Sequence, residues 1–429
     1  MKKLFILPIL IALVSLFGGC KKVLDKDNLT AVNPSDVWTN ANIARAYLDN
    51  IYDGLMPGNP AGSANGTDEG VAYQKQTNDW LMGTATYDSN DDFGKYDKIR
   101  TVNLLLDNID KASFDLTSRN QIKAQALFWR AWAYYGLVKN YGGVPLILTA
   151  QVPSQDLSTL AMPRSKTSEC VTQIIKDLDD AIALLPAVWT SGDVGRIDKG
   201  AAMAFKGRVL LFFASPLFNP SNDQAKWQTA YDANKAAKEY LEGQGKGLYN
   251  DFSKIWDDEL NKEVVMVRRF HYPEAAYDQS GLIPLDFSGG SVGQDRPSLE
   301  LVNAFPMKDG SAWNPATMSY DTLFRNRDDR FYASIYYNGS PNQYVKGMRD
   351  HNTYLWTYFY SISNYSGQSG LEGSHNQITP DPLWSNSSFY RVKAIDKTID
   401  RDNVGHAGLD WPEIRFAEVL MNYGECANE

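Results

Sequence analysis

SRNQIKAQALFWRAWAYYGLVKNYGGVPL, residues 118–146, decides how the rest of the chain is read. Ala124, Leu127, Phe128, Ala131, Tyr134, Tyr135 and Val138 recur at spacings of three and four, which places them on one broad stripe of an α-helix. Ser118 followed by Gln121 has the form of a capping box, so the helix is expected to begin there. Gly142 and Gly143 can take the conformation that ends a helix, and Pro145 prevents its resumption. Small residues (Ala124, Ala126, Ala131, Ala133) alternate with aromatic ones (Phe128, Trp129, Trp132, Tyr134, Tyr135). Such a helix admits other helices closely on both flanks, as in an α-solenoid.

Outward from this hub, helical periodicity recurs. Residues 33–55 carry Val37, Ile43, Ala44, Tyr47, Leu48, Ile51 and Leu55, with a start expected near Ser35 or Thr39 and a stop by Gly54 and Pro57. Tyr96, Ile99, Val102, Leu105, Leu106 and Ile109 mark a second helix. Residues 168–188 form another, with Val171, Ile174, Ile175, Leu178, Ile182 and Leu185 inward and Pro186 closing it. Residues 196–216 start a helix at Asp198 and pack through Ala201, Ala202 and Ala204. Residues 221–243 repeat the capping-box form at Ser221 and Gln224, with Trp227, Ala230, Tyr231, Ala237 and Leu241 on one face. Six helices that pair into hairpins predict a mainly α, tetratricopeptide-like helical-repeat scaffold over 33–247, although no strict repeat of about 34 residues is legible.

Residues 248–429 have a different character. They are dense in Tyr, Trp, Asn, Ser and Gly, with short apolar runs at 263–270 and 331–339 that favour short strands inside long loops. Residues 411–429 return to helix, with Phe416, Val419, Leu420 and Tyr423 as the buried stripe. This helix reaches the last residue with no stop signal and no partner, so a C-terminally truncated protein is expected.

The 429-residue chain is 43% hydrophobic and 22% charged, which suits a large core. A formal charge of −9 argues against nucleic acid, whose binding rests on clustered Lys and Arg. At the N-terminus Lys2 and Lys3 precede an apolar run from Leu4 to Phe17, then Gly18, Gly19 and Cys20. A basic start, a short apolar core and small residues before a cut site describe a secretory signal, here 1–19. The run is shorter than the roughly 20 apolar residues of a spanning helix. Cys20 after two glycines resembles a bacterial lipobox, with Phe17 a departure from the smaller residue usual there; acylation of Cys20 would leave 20–32 as a polar tether. Cys170 and Cys426 have no zinc or redox spacing and are expected to be unpaired thiols.

Six of these segments, in this order, resemble the SusD/RagB family of outer-membrane lipoproteins. The hub resembles its Arg-Ala-aromatic helix with a Tyr-Gly-x-Val-Pro-Leu turn. Residues 174–186 are similar to its Asp-Leu-x-x-Ala…Leu-Pro helix, and 199–212 to its Ala-Ala helix. Residues 297–310 resemble its Val-x-x-Phe…Asp-Gly segment, 326–339 its Arg-Asp-x-Arg segment, and 414–429 its Arg-x-Ala-Glu-Val-Leu helix, with Cys426 where Ala is usual. The resemblance implies four tetratricopeptide-like helix pairs, a looped glycan-binding face, and a SusC-like TonB-dependent transporter as partner, covered by the lipoprotein as a lid. Outer-membrane attachment through the lipid follows from it, with surface exposure less firmly implied because Lys21 and Lys22 depart from the usual export signals.

For catalysis the residues offer little. His271, His351, His375 and His406 lie far apart without metal-ligand spacing, and there is no P-loop, nucleophile elbow or dinucleotide glycine pattern. Asp91-Asp92, Asp257-Asp258 and Asp328-Asp329 read as solvated turns, and Arg327, Asp328 and Arg330 as an ion-pair corner. No cofactor is expected; a structural calcium ion is left open. Sugar binding instead needs flat aromatics for the apolar ring face and planar amide, carboxylate or guanidinium partners for hydroxyls. Aromatic residues make 12% of the chain; Trp129, Trp132 and Trp227 are on helices and read as packing residues. The ligand candidates are therefore loop residues: Trp80 beside Asn78, Tyr272 and Tyr277 after the 263–270 run, and Trp313 past the Asp-Gly turn. For each of them a structural or interface role weighs as much as ligand contact. Three readings follow: an oligosaccharide-binding lipoprotein that delivers to a transporter, a transporter lid whose ligand is a peptide or other nutrient, and, far behind, a hydrolase.

Overall fold

The structure, a computed structural model, describes residues 35–58, 67–71, 79–86, 94–152, 156–283, 296–314, 324–337, 340–341, 354–355, 389–399 and 401–429. The leader at 1–19, Cys20 with its tether, and Asn78 lie outside them. Helix starts are set by short acceptor side chains. Asn40 accepts the Asn42 amide at 2.9 Å before α1 (Ala41–Leu55). After β1 (Gly70–Val71), the one-turn α2 (Asp79–Met82) and α3 (Lys95–Ile109), Asp115 accepts the Ser118 amide at 2.8 Å and starts α4 (Leu116–Tyr141). The expected Ser118 capping box is thus corrected: the helix begins three residues earlier than a Ser118 cap would set it, Ser118 already sits in the first turn, and its own amide is taken by Asp115. α5 (Thr167–Leu184) follows; Asp198 then caps α6 (Lys199–Ala214) through the Ala201 amide at 2.8 Å. α7 (Gln224–Gly243) is capped by Asp223, not by the expected Ser221.

The hub α4 is buried almost all round, with Phe128, Trp129 and Tyr134 fully inside. Each such side chain contributes roughly 1.5–3 kcal/mol by leaving water. α4 packs against α1, α3 and α5; α5 packs on α6, and α6 on α7. Each helix meets its neighbours in sequence, which is the logic of a tetratricopeptide-like array. The fold is mainly α, a helical-repeat scaffold with a loop-rich part containing short strands.

The turn after α4 is clamped from both sides. Gly142 takes φ +69° and its amide reaches Val138 O at 2.9 Å. At Gly143 a Cβ would stand 2.1 Å from Ser165 O, so the close approach of 165 demands glycine. Tyr134 Oη donates to Ile147 O at 2.8 Å and accepts from Ile147 N at 2.7 Å, and Tyr96 Oη donates to Pro145 O at 2.8 Å. Beneath the turn Arg130 forms a two-pronged pair with Asp177 and also donates to Asn103 Oδ1 at 3.1 Å.

The loop-rich part begins with β2 (Val264–Arg268), where a strand is expected, and continues through β3 (Arg296–Pro297), α8 (Leu299–Ala304), α9 (Asp329–Tyr332), β4 (Ile335–Tyr336), β5 (Ser340–Pro341), β6 (Tyr354–Leu355), β7 (Tyr390–Arg391), β8 (Trp411–Arg415) and α10 (Phe416–Asn428). The expected strand at 331–339 is partly helix, because Asp328 caps a short turn before β4. Residues 411–415 are not helix as expected but strand β8, antiparallel to β2 with Val264 opposite Arg415 and Arg268 opposite Trp411. Pro412 and the inward alternation of Pro412 and Ile414 suit a strand, and Phe416 N closes the join by donating to Glu263 O at 2.7 Å.

α10 then returns to the scaffold on α7 and α6. Arg208 of α6 grips Glu418 at 2.6 and 2.8 Å and Glu413 at 3.2 Å. Buried Asn234 of α7 donates to Gly207 O at 3.1 Å and approaches Cys426 Sγ at 3.8 Å. Cys170 and Cys426 are free and buried, and burial pushes the Cys426 thiol up to about 11. Among the described residues no helix is long and apolar enough to cross a membrane.

Candidate functional site

The site residues are carried by a stretch that leaves β2 and folds back on the chain before β8. His271 and Ala275 exchange both backbone hydrogen bonds at 2.7 Å, making a tight loop that holds Tyr272 at its shoulder. Tyr277 and Ala407 exchange theirs at 3.0 and 3.2 Å, and Gln279 N reaches Val404 O at 3.1 Å. The 271–279 segment is thereby stitched to 404–407, which has little sequence periodicity to announce the pairing.

The stitching creates an aromatic surface. The Tyr272 ring, half exposed at 50%, lies on the imidazole of His406 with centroids 4.1 Å apart and planes 30° apart. Tyr277 is half-buried and meets Phe270 edge-on at 4.9 Å, while the Arg268 guanidinium lies 5.2 Å above the Phe270 ring. Arg268 donates to Met56 O at 2.7 Å and to Asp53 at 3.3 Å, tying the surface to the end of α1. Below it, buried Asp410 accepts the Phe270 amide at 2.9 Å and pairs with Arg269 Nε at 2.6 Å. Burial pushes its carboxyl up to about 6.

This geometry offers an exposed ring face with one side already occupied, a guanidinium, and polar side chains of Asp53 and His271 at the surface. That set can stack an apolar face and hydrogen-bond hydroxyls. His406, Phe270 and Arg268 were absent from the sequence candidates; His406 reaches Tyr272 only through the backbone pairing, so no local signal marks it.

The other candidates lie in other elements. Trp80 stands in α2, where Thr84 Oγ1 donates to Asp79 Oδ1 at 2.8 Å and Gly83 takes φ +67°. Trp313 does not offer the expected loop platform: it is 9% exposed, packed with Val302, Phe331, Ile335 and Phe389, with the Arg327 guanidinium 5.9 Å from its ring. The Arg-Asp-x-Arg corner combines an ion pair with carbonyl contacts. Arg330 forks onto Asp328 at 2.8 and 2.9 Å, whereas buried Arg327 donates to Phe305 O at 2.6 Å and to Val302 O. Among the described residues no group of three or more His, Cys, Asp or Glu side chains is disposed to hold a metal ion.

A helical-repeat scaffold bearing a looped aromatic face is the architecture of the SusD class. The model of a family described as starch-binding and associating with the outer membrane, SusD-like, matches residues 59–211, and that of the SusD family matches residues 227–429. A SusD-like protein of Bacteroides fragilis superposes with a TM-score of 0.73 at 21% identity, over 94% of this chain and 77% of that one. A second, a SusD-like carbohydrate-binding protein of the same species, gives 0.71 at 21% identity, over 91% of this chain and 74% of that one. A laminarin-binding SusD-like protein gives 0.63 at 19% identity, over 91% and 81%. SusD-like protein P38 of Formosa agariphila is 22% identical over 333 residues, 73% of this chain and 62% of that protein, so the match spans less than two thirds of the relative. The chain belongs to the SusD/RagB family.

Proposed function

We propose that the protein is a non-catalytic, outer-membrane lipoprotein that binds oligosaccharide on the Tyr272 face and passes it to a SusC-like TonB-dependent transporter. The observation that carries this reading is the half-exposed Tyr272 ring backed by His406 at 4.1 Å. A stacked pair holds its outer face in a fixed orientation, so a pyranose docks without ordering a free side chain. Family membership and a laminarin-binding structural relative support the glycan class. The lipobox-like Cys20 supports attachment by acyl chain, with the tether of residues 20–32 leaving the scaffold free to sit over a transporter. Trp80 and Asn78 are proposed as further ligand contacts from the N-terminal region, and Tyr277 is proposed to support the ring from its side.

Native gels cast with a panel of polysaccharides, laminarin and starch among them, test the reading when the same mixtures are assayed for new reducing ends. Retardation by one glycan without new ends supports capture. Retardation by none turns the reading toward a lid for a peptide or other nutrient, and new reducing ends replace it with a hydrolase.

A further inference from the structure

A cavity of about 420 Å³ opens between the connection leading from α5 to α6, the C-terminal turn of α7 and strand β2. None of Trp80, Tyr272, Tyr277 or Trp313 lines it. Its volume falls in the roughly 300–1,000 Å³ of small-molecule sites. Trp189 and the β2 residue Val267 contribute apolar wall; Asp198, Lys246 and the exposed Gln244 contribute polar groups. Trp189 is fixed in place because its Nε1 donates to Ile197 O at 2.8 Å.

The charges in this wall are unusual. Arg196 is spoken for, paired with Asp49 at 2.7 Å and with Asp193 at 2.9 Å. Asp198 and Lys246 share the cavity yet, among the described residues, neither makes an ion pair. Asp198 accepts the Ala201 amide at 2.8 Å, and Lys246 Nζ donates to Val264 O at 2.6 Å. Burial pushes the Asp198 carboxyl up to about 6 and pulls the Lys246 ammonium down, as expected of two charges held from water without each other's contact. Opposite charges in one wall leave no net field to select an ion. They offer one acceptor and one donor, with a planar amide at the mouth and an indole beside them.

We propose that this cavity, open to solvent on the scaffold, is a second carbohydrate site that takes a neutral monosaccharide or disaccharide by hydroxyl contacts to Asp198, Lys246 and Gln244 and by ring contact with Trp189. A hydroxyl both donates and accepts, so neighbouring hydroxyls of one sugar bridge the carboxyl and the ammonium where an ion would satisfy only one of them. The site rests on its own wall chemistry, so it stands or falls separately from the Tyr272 face.

The test is saturation-transfer NMR followed by isothermal titration of the purified protein with glucose, galactose, mannose, xylose, maltose and laminaribiose. Saturable binding of at least one sugar is expected. Gln244→Leu, at an exposed position, and Lys246→Met, which removes a charge that burial already disfavours, should each weaken it about five-fold, the loss of one net hydrogen bond of ~1 kcal/mol. The titrations are repeated in the Tyr272→Ala protein, where sugar held on the aromatic face no longer contributes and the loss caused by Gln244→Leu should persist. Circular dichroism and thermal unfolding confirm that each variant is folded; Gln244→Leu alone suffices if Lys246→Met is not. No saturable binding by any of the six sugars in the Tyr272→Ala protein overturns the proposal, as does binding in that protein untouched by Gln244→Leu.

Discussion

Arg130 and Asp177 meet inside the helical scaffold as a two-pronged ion pair, Nε to Oδ2 and Nη2 to Oδ1, both at 2.7 Å. The pair joins α4 to α5, and the third guanidinium nitrogen holds Asn103, whose amide in turn donates to Ile147 O at 2.8 Å. One buried group thus ties three helices, α3, α4 and α5, and the turn after α4. Removing one partner strands the other charge in the core. Asp177→Ala should therefore lower unfolding free energy by about 3–5 kcal/mol, read from denaturant midpoints. The double variant Arg130→Met with Asp177→Leu should recover most of that loss; failure to recover any of it would mean that the ion pair does more than fill the space.

Gly143 tests the clamp on the same turn. A Cβ there meets Ser165 O at 2.1 Å, a backbone atom with little room to yield. Gly143→Ala should lower stability by roughly 1–3 kcal/mol through displacement of the 164–167 segment. An unchanged melting temperature would show that the segment gives way freely.

The Asp198 carboxyl carries a pH signature of definite sign. Its folded pKa, about 6, lies above the unfolded value near 3.8, so the folded state binds the proton more tightly. Its favourable contribution is present below pH ~4 and is lost as pH rises through ~6. Asp198→Asn keeps the helix cap, since Asn is an equally good N-cap, and removes the ionisation. The variant should gain roughly 1–3 kcal/mol over wild type at pH 7.5 and nothing at pH 4. Thermal melts across that range decide it; a parallel pair of curves contradicts the burial of this carboxyl. Asp410 shifts in the same direction and adds to the wild-type slope.

Cys170 and Cys426 are buried, and burial raises both thiols above their ordinary range. A thiol reagent should therefore find no fast-reacting group among the two in the native protein and both after denaturation. Rapid native labelling of either would place it nearer the surface than its packing implies.

Much of the scaffold was legible because helix period and Ala/aromatic alternation act over three or four residues. Cap positions were less so: Asp115 and Asp223 cap where Ser118 and Ser221 are expected, since Asp and Ser are about equally good caps and local sequence does not choose between them. β8 was read as helix because Trp411–Arg415 shows its strand character only against β2, far away in sequence. The same limit governs the site. Tyr272 could be named from its polar loop, but His406 beneath it is delivered by the 277–407 pairing. The packing of Trp313 on Val302, Phe331 and Phe389 is equally hidden by its loop context, since those partners lie elsewhere in the sequence.

The central claim is that the Tyr272 face holds glycan. The direct measurement is isothermal titration of the polysaccharide that retards the protein into wild type, Tyr272→Ala and Trp313→Ala, with thermal unfolding of each. Loss of a stacking ring should weaken binding by about ten-fold or more for Tyr272→Ala, with the melting temperature near wild type. Trp313→Ala should instead lower stability by about 3–5 kcal/mol, as a core deletion does. Undiminished affinity in a folded Tyr272→Ala protein would contradict the account.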